Sequence, residues 1–106
     1  MKEIDWSSLS FGYMKTDYNV RCWYRNGAWG EIEISSEETL NIHMAATCLH
    51  YGQEAFEGLK AYRCPDGKVR VFRMDENAAR LQSSCRGIMM PEMPTEKFEE
   101  MVSKVV

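Results

Sequence analysis

Apolar residues along the 106-residue chain fall first into a two-residue period and later into a helical one. Val20, Cys22 and Tyr24 alternate through Asn19–Arg25, and Ile32 and Ile34 alternate with acids through 31–34. Each pattern predicts a strand with one apolar face. Between them Asn26-Gly27 supplies the positive-φ pair that closes an antiparallel hairpin. After a polar turn at 35–39, Leu40 and Ile42 predict a further short strand over 40–42. Residues 51–56 fit a helical turn. A second hairpin is expected from strands at 59–63 and 68–73, with Val69 and Val71 on one face and Pro65-Asp66-Gly67 as the turn.

The period then lengthens. Asp75 is the candidate cap of a helix whose Ala78, Leu81, Cys85 and Ile88 share one face, with Arg80 off that stripe. Gly87 and Met89-Met90-Pro91 close it. Thr95 is the candidate cap of a last helix, with Glu96 in its first turn and Phe98, Met101, Val102 and Val105 as its apolar stripe. No stop signal precedes Val106, so the chain is expected to be part of a longer protein. At the other end, residues 1–17 read as an irregular arm carrying Trp6, Leu9, Phe11, Tyr13 and Met14. It either docks on its own domain or sends Phe11 into a site. The fold class expected is α+β: a small, mainly antiparallel sheet from two hairpins with two flanking helices, over residues 18–106.

Composition narrows the function classes. An apolar share of 44% allows a modest core. The net charge of -3 weighs against nucleic acid or an anionic membrane surface as partners. No apolar run approaches a membrane span and no signal-peptide core follows Met1, which points to the cytoplasm. Cys22, Cys48, Cys64 and Cys85 form no C-x-x-C pair, and His43 and His50 add no zinc spacing, so free thiols packed as small hydrophobes are expected. Trp23 and Trp29 read as sheet cover.

Candidate chemistry is confined to one stretch and one cation. There is no Gly-rich phosphate loop, no H-E-x-x-H and no nucleophile elbow. In HYGQEAFEGLKAY, residues 50–62, Tyr51 offers a hydroxyl, Phe56 a flat apolar face, and Gly58 a backbone that a ligand can approach without a Cβ in the way. Arg80, early on its helix and opposite the apolar face, is either a bidentate anion binder or a solvated surface cation.

LHYGQEAFEGLKAYR, residues 49–63, followed by VRVFR and DENAARL, resembles the N-terminal domain of branched-chain amino acid aminotransferases, which are fold-type IV enzymes using pyridoxal 5′-phosphate. Phe11-Gly12 with Thr16-Asp17, and Gly27-Ala28-Trp29-Gly30, are similar to segments of the longer, eukaryote-like branch. The resemblance implies a parent enzyme of branched-chain amino acid metabolism. It would move amino groups between leucine, isoleucine or valine and 2-oxoglutarate as a cytoplasmic homodimer or larger homo-oligomer. By resemblance Arg80 holds the cofactor phosphate. Phe11, Tyr51 and Phe56 wall the substrate side-chain pocket, and Gly58 is the glycine beside the active site. The family's Schiff-base lysine is expected beyond Val106, since none of Lys2, Lys15, Lys60, Lys68, Lys97 and Lys104 matches its position. No catalytic residue is therefore expected here, and the alternative is a non-catalytic ligand-binding or interaction domain derived from such an enzyme.

Overall fold

A computed structural model describes residues 12–106. The expectation for Phe11, and that for the arm before it, falls outside the described residues. Seven elements follow in the order β1 (Asn19–Arg25), β2 (Ala28–Ser35), α1 (Thr47–His50), β3 (Ala61–Arg63), β4 (Val69–Val71), α2 (Met74–Gly87) and α3 (Thr95–Val105). The α+β class and both hairpins are as expected.

Strands β1 and β2 pair antiparallel around a two-residue turn, with Arg25 opposite Ala28. Asn26 and Gly27 both take positive φ, 54° and 81°, which matches the twist of the flanking strands. The register slips between Cys22 and Tyr24, where two residues of β2, Gly30 and Glu31, face Trp23 alone. At this bulge the Gly30 carbonyl accepts from Lys97 Nζ of α3 at 3.0 Å and from Cys22 Sγ at 3.3 Å. Trp29 stacks edge-on to Tyr24 and donates its Nε1 proton to the Glu92 carbonyl at 2.9 Å. The tryptophan thereby ties the hairpin to the segment between the two long helices.

The second hairpin turns through three residues. Cys64 N–H donates to the Lys68 carbonyl at 2.7 Å, and Gly67 takes φ 83°. Asp66 accepts from Lys68 N–H and from both terminal nitrogens of Arg70. Those bonds, with Arg70 first, lower the Asp66 pKa. The two hairpins stand as separate two-stranded sheets. Residues 40–42 form no strand, because alternation becomes a strand only where a neighbouring strand completes its ladder. The helical turn expected over 51–56 lies earlier, at Thr47–His50.

Helix α2 begins one residue before the expected cap. Arg73 occupies the cap position with φ 52°, and Asp75 and Glu76 sit in the first turn, where carboxylates favour the helix dipole. Thr95 likewise is the first residue of α3 and not its cap. Its Oγ1 accepts instead from Gln82 Nε2 of α2 at 3.1 Å. The closing signal of α2 is a complete Schellman arrangement: Met90 N–H reaches the Cys85 carbonyl at 2.8 Å and Met89 N–H the Arg86 carbonyl at 3.3 Å. The left-handed residue there is Met89, at φ 60°, where glycine is usual. Met89→Gly is therefore expected to stabilise the protein by about 0.5–1 kcal/mol, removing the Cβ cost of that conformation at a smaller entropic cost. A thermal melt shifted downward would refute this.

Helix α2 packs on α3, and α3 packs on β1. Ala78 and Cys85, 1% and 5% exposed, are the buried apolar residues, and no large side chain among the described residues is fully buried. The modest core expected from composition is thus smaller than its apolar share suggests. The reason lies in the architecture: a two-stranded ribbon covers little, and two helices meet mainly along one seam. All four cysteines carry free thiols, and Cys48 is exposed where packing was expected. No helix among the described residues is long and apolar enough to cross a membrane.

Candidate functional site

The segment 52–60 carries no regular structure, so its groups are placed by their partners and not by a ladder. Two of its polar side chains are anchored, Gln53 and the acid Glu57. The Glu57 side chain is only 8% exposed, beside an Arg80 side chain that is 68% exposed. Arg80 Nε donates to both Glu57 oxygens, at 3.1 and 2.9 Å, and Arg80 Nη2 makes a further short bond to Oε1. Asn77, three residues before Arg80 on the same face of α2, gives its Nδ2 protons to Glu57 Oε1 at 2.8 Å and to the Gly58 carbonyl at 3.1 Å. Helix α2 thus clamps the 57–58 backbone and carboxylate together.

These bonds fix the charge state. Arg80 first, and Asn77 second, hold the Glu57 carboxyl at a pKa of about 2, against 4.5 for a solvated glutamate. The same contact raises the Arg80 pKa. Because the folded pKa lies below the unfolded one, the clamp contributes its full stability above about pH 4.5. It loses that contribution as pH falls towards 2. In a carboxyl-carbon NMR titration Glu57 should remain ionised at about pH 3.5. A midpoint at the ordinary glutamate value would refute the clamp.

The residues expected at a site are only partly gathered. Gly58 and Arg80 meet through Glu57 and Asn77. The Phe56 ring lies over Gly58, where an added Cβ would sit 3.7 Å from its edge. Otherwise Phe56 is 90% exposed. Tyr51, 85% exposed, lines a different feature: an open cleft of about 380 Å³ shared with Thr47, Gly52, Gln53 and Ile88. Gln53 braces that cleft, accepting from Thr47 Oγ1 at 2.5 Å and donating to the Ile88 carbonyl at 2.8 Å. Neither Arg80 nor Phe56 belongs to the cleft.

Sequence reasoning missed Glu57 and Asn77. A signal was present: an acid set directly between the aromatic Phe56 and Gly58, and an N-x-x-R pair on the polar face of the later helix. As for cofactor fit, Arg80 Nη1 has no hydrogen-bond partner among the described residues, and the guanidinium is exposed. An exposed, oriented N–H edge is a suitable donor to a phosphate group.

No protein-family model matches the chain. Curated relatives do. A branched-chain-amino-acid aminotransferase of Haemophilus influenzae is 46% identical over 106 residues, all of this chain and 31% of the relative. One from Helicobacter pylori is 43% identical over the same span, again 31% of its length. The branched-chain-amino-acid transaminase 1 of Bacillus subtilis is 41% identical over 103 residues, 96% of this chain and 29% of the relative. The chain spans about a third of the length of the curated relatives it matches.

Proposed function

We propose that this chain, homologous over its whole length to part of the branched-chain-amino-acid aminotransferases, is the N-terminal portion of such an enzyme. Residues 1–17 are its arm and 18–106 its small domain, of fold type IV. The parent moves an amino group between leucine, isoleucine or valine and 2-oxoglutarate. It works in the cytoplasm as a homodimer or larger homo-oligomer. The single observation that carries the reading is the 46% identity across all 106 residues, and the Arg80 geometry supports it.

Pyridoxal 5′-phosphate supplies, when bound, the electron-withdrawing ring that makes amino transfer possible. This chain's own residues bind and select. Arg80 holds the phosphate by charge and by hydrogen bonds from its unpaired edge. Phe11, Tyr51 and Phe56 accept a branched apolar side chain and reject water and polar groups through the desolvation these would suffer. Gly58 allows substrate to approach the backbone, with its carbonyl held in place by Asn77.

The test is expression of the complete native reading frame and assay with leucine, isoleucine and valine against 2-oxoglutarate. Turnover of all three is expected, while residues 1–106 alone with added cofactor give none. A native stop codon after Val106, or a full-length product without transamination, would favour a non-catalytic binding domain.

A further inference from the structure

We propose that Glu57 is a positioning residue that fixes the Arg80 guanidinium so that its Nη1 edge faces the cofactor phosphate. The inference rests on the phosphate reading of Arg80 and adds to it a residue to which no role has been assigned. The exposures point the same way: the carboxylate is nearly enclosed and the guanidinium stands outside it. Glu57 engages Nε and Nη2, and in a planar fork, holding that edge sets the direction of the remaining nitrogen. Asn77 keeps the carboxylate from rotating away, since it ties Oε1 to the Gly58 carbonyl from the same helix.

Two effects of Glu57 oppose each other. Its charge offsets that of Arg80 and weakens attraction to an anion. Its hydrogen bonds remove the rotamer freedom that a long side chain would otherwise lose on binding. At an exposed guanidinium water screens the first effect, while it leaves the second intact. Preorganisation wins.

The experiment uses the protein from its complete reading frame and two probes, pyridoxal 5′-phosphate and pyridoxal, which share a ring and differ by the phosphate. The dissociation constant of pyridoxal divided by that of pyridoxal 5′-phosphate measures what the phosphate contributes. Glu57→Gln should lower that ratio by about fivefold to tenfold and leave pyridoxal binding within about twofold. In an Arg80→Ala background the same substitution should change the ratio no further. An unchanged or increased ratio in Glu57→Gln, or equal loss of both ligands, overturns the positioning role. An unchanged ratio in Arg80→Ala overturns the phosphate reading itself, so the two failures are distinguishable. If Glu57→Gln does not fold, the wild-type Arg80 Nε–H resonance in the cofactor-bound protein decides. A slowly exchanging single signal is required, and a rapidly exchanging one overturns the proposal.

Discussion

Replacing Ala78 with aspartate is expected to unfold the domain. Ala78 is 1% exposed in the middle of α2, the helix that packs on α3. A carboxylate there has no charged partner and no water, and an uncompensated buried charge costs about 3–5 kcal/mol. Domains of this size have total stabilities of about 5–15 kcal/mol, and one whose buried apolar residues, among those described, are Ala78 and Cys85 lies towards the low end. Loss of the cooperative thermal transition and of the helical circular dichroism signal is the expected result. Ala78→Gly is the control, at a cost of about 1 kcal/mol for helix propensity and about 0.8 kcal/mol more for the lost methyl burial. A cooperative melt in Ala78→Asp within a few degrees of the parent would mean that α2 does not depend on this seam.

Arg80→Ala, in the full-length protein, should lower affinity for pyridoxal 5′-phosphate roughly tenfold or more, with activity restored in part by excess cofactor. The same change strips Glu57 of its first and strongest partner. The nearly enclosed carboxylate then keeps only Asn77, and its pKa should move back up. Arg80→Lys separates charge from shape. A lysine retains attraction to the phosphate but cannot pair with Glu57 along one edge while presenting another, so it should rescue part of the loss. Unchanged cofactor affinity in the folded Arg80→Ala protein would return the residue to a solvated surface cation.

Tyr51 and Phe56, at two separate places, are both strongly exposed. Exposed aromatic surface of this kind favours burial against another apolar surface, at about 1.5–3 kcal/mol for a large side chain. The chain spans about a third of its relatives' length, and the proposed pocket needs walls from more than these residues. Arg80 and Glu57 describe a complete polar contact, because both partners lie on this chain.

Sequence alone determined the features whose physics is local. Asn26-Gly27 had to turn with positive φ, and Pro65-Asp66-Gly67 had to reverse the chain, because few residues tolerate those backbone angles. Ala78 and Cys85 had to share a buried face, because seven residues make nearly two helical turns. Tertiary structure decided the rest. Leu40 and Ile42 alternate like a strand but have no strand to complete their ladder. Asp75 and Thr95 look like caps, yet Arg73 turns the chain before the first and Gln82 engages the hydroxyl of the second. Glu57 and Arg80 stand 23 residues apart, and only the return of β3 and β4 into α2 brings them together. No local rule specifies that meeting. It depends on where the hairpin places the start of the helix.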